Sequence, residues 1–315
     1  AIIMWKIFAD SLSITRSRLS LELPGDTTKT SFWFGNTVAR KADIDLATGT
    51  YKVGSLDWTD GRFSFAPVAL NDINLGIDSI NYSPKGTSLF VRKSAYRLSL
   101  NGGEDIHITE MTGGLSLDSA FNYIRMPLLS LRTTDSNIMA EADMDFNAFD
   151  EQHPGVFKLR LFAQIGKQDI FALAGKLPQK FTQHFPNRPL IIRGSIDGNM
   201  DHLQLTGIDI DLATAVHATF KGTADHVTDL RRMKADIQVD AKTKHLNFIT
   251  ALIDPEMSDI IRIPDGITLN GKMTANGTKY SANLEAGEGS GSIRLNGSAM
   301  IPLNAKGEFA TETTS

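Results

Sequence analysis

The side chains best suited to acid–base or metal chemistry are seven histidines and one pair of aspartates. No two histidines have the His-x-x-x-His spacing that places two ligands on one helix face. His217 adjoins an alternating segment and is interpreted as a polar rim residue, not a metal ligand. Asp209 and Asp211 flank Ile210, which indicates two solvated acids on the wet side of a strand. No acid has the apolar surroundings that tune a pKa for proton transfer. The sequence therefore predicts no enzyme, no metal and no cofactor.

A glycine-rich run, Gly287-Glu288-Gly289-Ser290-Gly291, superficially resembles a phosphate-binding loop. It lacks the Lys-Ser/Thr that would follow, so a hairpin or bulge between strands is the better interpretation. The formal net charge is −4, and no basic run stands out. A nucleic-acid-binding surface would require such a run, so nucleic acid is not predicted as a partner.

Composition favours a folded chain with a sizeable apolar interior. Of 315 residues, 41% are hydrophobic and none is cysteine. Disulfides and cysteine-bound metals are thereby excluded, and a periplasmic location is compatible with this composition. The first apolar stretch, Ala1 to Trp5, is far shorter than the roughly 20 residues of a membrane helix. We expect the chain to be an internal fragment, with any membrane anchor in other segments.

Alternation of apolar and polar residues is the dominant pattern and predicts half-buried antiparallel strands. It is clearest over residues 138–146, 235–241 and 293–301. The alternation changes phase at Gly207, which predicts a bulge. Turns are predicted at Asp60-Gly61, Pro84 to Gly86, Asn101-Gly102 and Asn276-Gly277. The predicted fold is all-β.

One pattern occurs twice in the second half of the chain, at a spacing of 77 residues. Phe171 corresponds to Phe248, and the tripeptide beginning at Gly194 corresponds to the one beginning at Gly271. Tandem units that cannot bury their apolar faces alone predict an elongated, stacked architecture. We predict an N-terminal part of the sheet at 1–156, a first repeat at 157–233 and a second at 234–315.

Each repeat is interrupted by a short helical stretch. The first spans 169–177, and the second spans 246–253, followed by a capped helix through Ile261. Two interpretations stay open: a crossover that closes one end of the sheet, or a lid over a groove. The lid would use four side chains: Phe171, Leu173, Phe248 and Leu252.

Many inward-facing positions carry alanine or glycine. Small side chains could leave apolar volume unfilled, which at roughly 25 cal/mol per Å² of exposed surface would favour an apolar guest such as an acyl chain. Alternatively, two such faces could pack tightly against each other. Composition does not decide between these arrangements.

The segment from Leu115 to Phe146, including Leu128 to Ile138, resembles the TamB proteins of Bacteroidetes-type bacteria, within the AsmA-like family. The units at Leu190 to Gly198 and Ile267 to Thr274 are also similar to that family. The resemblance implies an elongated U-shaped antiparallel sheet, or β-taco, with a hydrophobic groove and a few short helices. It implies an inner-membrane-anchored protein that crosses the periplasm and functions in phospholipid transport or outer-membrane protein assembly. An outer-membrane barrel protein of the assembly family is the implied protein partner.

Three functional hypotheses follow. The first is a non-enzymatic bridge-like conduit that carries phospholipid acyl chains between inner and outer membrane. The second is a scaffold that assists outer-membrane protein translocation and assembly by β-strand pairing, and the third is a structural spacer with a dry core. The predicted groove lining is Ile138, Ala140, Ala142, Met144, Ile237, Val239, Ala241, Leu269, Met273, Ala275, Leu284, Ile293, Leu295, Ala299 and Ile301.

Overall fold

Strands dominate the chain, as the alternating sequence predicts. The computed structural model describes residues 5–22, 29–100, 104–118, 122–148, 150, 153–175, 177–253, 265–288 and 291–300. The chain is all-β, with an open antiparallel sheet whose strand order follows the chain order and with a few short helices. The predicted fold class is confirmed in these terms, whereas the U shape and the continuous groove stay predictions.

The chain divides into two compact units. Unit 1 consists of Ala1–Asp143 and Gln168–Lys176, and unit 2 of Met144–Lys167 and Leu177–Ser315. The division falls near the end of strand β8 and at the start of helix α1. The elements up to that helix are β1 (Lys6–Glu22), β2 (Lys29–Asp45), β3 (Thr50–Phe65), β4 (Val68–Ser83), β5 (Gly86–Leu100), β6 (Ile106–Asp118), β7 (Tyr123–Thr133), β8 (Asn137–Asp145), β9 (Phe157–Ile165) and α1 (Lys167–Ala174).

Unit 1 has an aromatic row across β2 and β3. Phe32 lies directly opposite Phe63 in the strand register, with ring centroids 5.0 Å apart. Phe34 packs against Trp58 at 5.5 Å. Cross-strand aromatic pairs of this kind stabilise a sheet beyond their buried area. The row therefore helps to fix the register of the first strands.

A chain of ion pairs crosses four strands of unit 1. Asp57 on β3 accepts from Arg40 on β2 at 2.5 Å and from Arg92 on β5 at 2.8 Å. Arg92 also lies 3.6 Å from Asp78 on β4. These side chains are partly exposed, so each pair contributes little free energy. Because these charged side chains are partly exposed to water, the face of β2 to β5 that carries them is polar and hydrated.

The predicted turn at Asp60-Gly61 is wrong, because β3 continues through both residues. Asp60 has φ +52°, and the β3–β4 register shifts on either side of Gly61. The positive φ angle is therefore used in a bulge within a long strand. The turns at Pro84 and at Gly277 are confirmed, whereas Asn101-Gly102 lies outside the described residues.

The carboxylate of Asp169 links helix α1 to the turn between β7 and β8. The hydroxyls of Thr133 and Ser136 both donate to Asp169. The backbone N–H of Ser136 in turn donates to the Thr133 hydroxyl oxygen at 2.8 Å. These bonds fix the start of α1, which lies close to the predicted helical stretch 169–177.

Unit 2 has the same order of elements twice: one strand, helical turns, then three strands. After β9 come α2 and β10 to β12, and after β13 come a 3₁₀ turn, α3 and β14 to β16. The bounds are α2 (Gln179–His184), β10 (Leu190–Asn199), β11 (His202–Leu212), β12 (Val216–Asp225), β13 (Lys234–Thr243), the 3₁₀ turn (Asn247–Ile249), α3 (Thr250–Ile253), β14 (Thr268–Asn276), β15 (Lys279–Glu288) and β16 (Gly291–Met300). The predicted helix through Ile261 lies outside the described residues.

A bulge at Gly207 keeps β11 apolar on a single face. Gly207 has φ +56°, and the β11–β12 register shifts between Leu205 and Ile208. The extra residue cancels the change of phase in the sequence, so Leu205 and Ile208 both lie in register with apolar or glycine positions of β12. The predicted bulge is confirmed.

Deletion of Gly207 should destabilise unit 2 strongly. Without the extra residue, Ile208, Ile210 and Leu212 would move to the opposite face of the sheet. We expect the free energy of unfolding to fall by at least about 3 kcal/mol, since burial of each such side chain is worth about 1.5–3 kcal/mol. Urea unfolding followed by circular dichroism measures this loss.

The matched control is Gly207→Asn, because asparagine tolerates a left-handed backbone and keeps the residue count. This variant should lose no more than about 1 kcal/mol. A deletion variant that unfolds at the same urea concentration as the control would contradict the role of the bulge.

Candidate apolar binding face

One face of the unit 2 sheet is apolar on all eight strands. The register places Ile192 on β10 opposite Ala163 on β9 and Ile210 on β11. It likewise places Leu284 on β15 opposite Gly271 on β14 and Leu295 on β16. We call this surface the apolar face. It comprises Leu159, Leu161, Ala163, Ile192, Ile196, Leu203, Leu205, Ile208, Ile210, Val216, Ala218, Phe220, Ala235, Ile237, Val239, Ala241, Leu269, Gly271, Met273, Ala275, Tyr280, Ala282, Leu284, Ala286, Ile293, Leu295, Gly297 and Ala299.

The opposite face is polar and carries ion pairs between neighbouring strands. Lys272 on β14 lies 2.5 Å from Asp236 on β13, and Arg193 on β10 lies 3.7 Å from Asp209 on β11. The hydroxyl of Thr219 donates to Asp209 at 2.7 Å. Asp209 is therefore engaged with its neighbours on the wet side of β11, in line with the sequence interpretation.

Most of the predicted groove residues lie on the apolar face. They are Ile237, Val239, Ala241, Leu269, Met273, Ala275, Leu284, Ile293, Leu295 and Ala299. Ile301 lies outside the described residues. Ile138, Ala140, Ala142 and Met144 alternate along β8, at the boundary of the two units.

The depth of burial changes along the apolar face. Val239 and Ala241 on β13 are buried together with Ala218 on β12, so they present little surface to a ligand. Farther along, 46% of Met273, 49% of Leu295 and 66% of Ile293 is exposed. The accessible part of the apolar face is thus formed by β14 to β16.

An open cavity of about 600 Å³ lies on the apolar face between β12 and β16. Phe220 and Ile237 line one side of it, and Ala282, Gly297 and Ala299 line the other. The small side chains of Ala282, Gly297 and Ala299 leave part of this volume unfilled. Its size falls within the range of roughly 300–1,000 Å³ that small-molecule sites occupy.

Several lining residues were absent from the sequence prediction. Phe220, Tyr280 and Met233 contribute the largest of these side chains. Phe220 follows Val216 and Ala218 at a spacing of two, a signal that identifies its face. Met233 lies in the loop before β13, where no alternation exists to predict its direction.

An aromatic cluster joins the helical turns of the two repeats. Phe181 lies on α2, Phe185 directly follows that helix, and Phe248 lies in the 3₁₀ turn, with all three ring centroids 5.4–5.6 Å apart. All three side chains are buried. Phe248 therefore has a packing role, whereas Leu252 on α3 is 47% exposed. Phe171 and Leu173, the other predicted lid residues, lie on α1 in unit 1. The spacing of four between Phe181 and Phe185 is the signal that could have identified this cluster.

Several histidines in unit 2 lie beside aspartates near the ends of strands. His202 Nδ1 lies 2.6 Å from Asp225, and His226 Nδ1 lies 3.1 Å from Asp201. His217 Nδ1 lies 3.7 Å from Asp211. Within the described ranges, no group of three or more histidine, cysteine, aspartate or glutamate side chains is arranged to hold a metal ion.

Comparison with known proteins found no matching family model, no matching curated protein and no matching solved structure. Among the helices that the structure describes, none has the length and apolar character needed to span a membrane.

Replacing Phe248 by alanine should destabilise unit 2 by about 3–5 kcal/mol. The reason is that truncation leaves a cavity between the rings of Phe181 and Phe185. The midpoint of urea unfolding, followed by circular dichroism, measures the effect.

Leu252→Ala is the matched control, since this exposed side chain should contribute less than about 0.5 kcal/mol. Equal unfolding midpoints for the two variants would show that Phe248 is not part of the packed core.

Proposed function

We propose that the apolar face of unit 2 binds the acyl chains of phospholipids, in a non-enzymatic conduit that carries them across the periplasm between the inner and outer membranes. The observation that supports this proposal is the apolar face across β9 to β16, on which an open cavity lies between β12 and β16. Apolar surface of this extent is typical of a binding surface, because monomeric proteins otherwise cover it.

The energetics favour an elongated apolar guest. Each methylene that leaves water contributes about 0.8 kcal/mol. About ten methylenes covered by the apolar face would therefore contribute up to about 8 kcal/mol, before the entropic cost of binding. An acyl chain matches this requirement, because it is apolar along its length and needs no hydrogen-bonding partner.

The proposed mechanism is partition followed by diffusion. Contacts with alanine, leucine, isoleucine and methionine side chains are non-directional, so a bound chain can slide from one strand to the next without breaking hydrogen bonds. The phosphate head group stays in water beyond the sheet edge, where its charge keeps its hydration. No covalent step is required.

The cellular setting is part of the same proposal. A periplasmic location within an inner-membrane-anchored protein, with an outer-membrane barrel protein as partner, is compatible with a chain that has no cysteine. A scaffold for outer-membrane protein assembly would use strand edges instead of the apolar face. The two functions therefore differ in which substitutions should abolish them.

Leu295→Arg should weaken acyl-chain binding at least about tenfold, because a bound chain would have to cover an unpaired guanidinium. Leu295 is 49% exposed, so the free protein should keep its fold. A titration with a polyene fatty acid, whose fluorescence rises in an apolar site, measures the dissociation constant.

The matched control is Asn296→Arg, which places the same charge on the polar face one residue further along β16. It should bind the fatty acid as the parent chain does. Equal affinities for the two variants would exclude the apolar face as the binding surface, as would the absence of phospholipid from organic extracts of the purified protein. Loss of outer-membrane protein assembly without loss of lipid binding would favour the scaffold.

A further inference from the structure

Strand β16 has an open edge in the part of the sheet that the structure describes. Its ten residues pair with β15 on one side, and no described strand pairs with the other. Every residue of β16 is exposed, including 66% of Ile293 and 76% of Met300. An exposed strand edge presents unpaired backbone N–H and C=O groups, which are a template for pairing with another strand.

The first repeat contains the same strand with both of its edges paired. The strand register defines the equivalence: Leu205 lies opposite Gly222 on β12, and its counterpart 77 residues further along, Ala282, lies opposite Gly297 on β16. Gly222 is therefore equivalent to Gly297, and Phe220 to Leu295. In the first repeat, β12 pairs with β13, the strand that opens the second repeat. The equivalent position beside β16 is where the opening strand of another repeat would lie.

The two equivalent glycines differ in their surroundings among the described residues. A Cβ added to Gly222, which has φ +150°, would collide with the carbonyl oxygen of Asp236 and lie 3.0 Å from the Cα of Ile237, both on β13. Glycine is required there because the partner strand approaches closely. A Cβ added to Gly297 would meet nothing within 4 Å. Gly297 thus has the residue type of a close strand contact, and no described strand lies beside it on that edge.

We propose that the open edge of β16 is an acceptor site for one antiparallel strand of the type that opens a repeat, as β9 and β13 do in this chain. This interaction goes beyond the proposed lipid binding, because it uses backbone groups of the edge and not the apolar face. The incoming segment is extended, apolar at alternate positions and polar between them.

The pairing of β12 with β13 fixes the expected register. Gly222 lies opposite Ile237, and Phe220 lies opposite Val239. By equivalence, a large branched side chain of the incoming strand lies opposite Gly297, and a second apolar side chain lies opposite Leu295. The added strand would thereby extend the apolar face by one strand.

A peptide with the sequence of β13, residues 234–243, tests the site on the intact chain. The chain has no cysteine, so Asn296→Cys introduces a single thiol. Lys221, the equivalent of Asn296, lies opposite Gln238. With dissolved oxygen as the oxidant, a peptide with cysteine at the position of Gln238 should therefore form a disulfide with residue 296 at least about tenfold faster than one with cysteine at the position of Lys234. The reason is that only directly opposed residues bring their Cβ atoms within bonding range.

Gly297→Ala separates docking from folding. The added methyl group has open space in the unbound chain, so the urea midpoint should be unchanged or slightly higher. The same methyl group should weaken peptide binding at least about tenfold, because the carbonyl group of the incoming strand must approach that position. Ser298→Ala is the matched control and should bind the peptide as the parent chain does.

Position-specific cross-linking together with weaker binding to Gly297→Ala would support the proposal. Absence of peptide binding at millimolar concentration would overturn it, as would equal binding to Gly297→Ala and Ser298→Ala. Formation of a disulfide-linked dimer by the Asn296→Cys chain through paired β16 edges would also overturn it, because the occupant would then be a second copy. Loss of fatty-acid binding in Leu295→Arg is independent of each of these results.

Discussion

The two-residue period of the strands is the constraint on which the rest of this structure depends. Successive side chains of a strand point to opposite faces, so an antiparallel register determines the character of a whole face at once. In unit 2 the register holds from β9 to β16, and each strand adds its apolar residues to the same side. The ion pairs, such as Lys272 with Asp236, then lie on the other side. An apolar surface and a hydrated surface are therefore consequences of one pattern.

Keeping that pattern over long strands requires local exceptions to regular geometry. The bulges at Gly207 and at Asp60-Gly61 each change the register by insertion. At Gly207 the insertion returns the apolar side chains of β11 to the common face. Small residues have a separate effect, because Ala282, Gly297 and Ala299 leave open the cavity that Phe220 and Ile237 border. The bulge at Gly207 keeps the apolar face of unit 2 continuous, and the small residues leave part of it open.

Much of the fold could be predicted from the sequence, because alternation and tandem repetition are local signals. They identified the fold class, the bulge at Gly207 and the face on which Ile237, Met273 and Leu295 lie. They could not identify how deeply each side chain is buried. Val239 and Leu295 have the same pattern, yet Val239 is buried and Leu295 is half exposed. Depth depends on neighbouring strands and on packing that no local pattern encodes. The same reason explains why Asp60-Gly61 was assigned to a turn: its positive φ angle serves a bulge equally well.

The most informative feature of unit 2 is that its equivalent strands β12 and β16 have different neighbours. Ala218 on β12 is buried, whereas its equivalent on β16, Ile293, is 66% exposed. The two strands differ on one side: β12 pairs there with β13, whereas no described strand pairs with β16 on the equivalent side. A glycine in a strand interior weakens the strand unless a close approach requires it. Gly222 meets that requirement within the sheet, and a strand beside β16 would give Gly297 the same physical reason to be glycine.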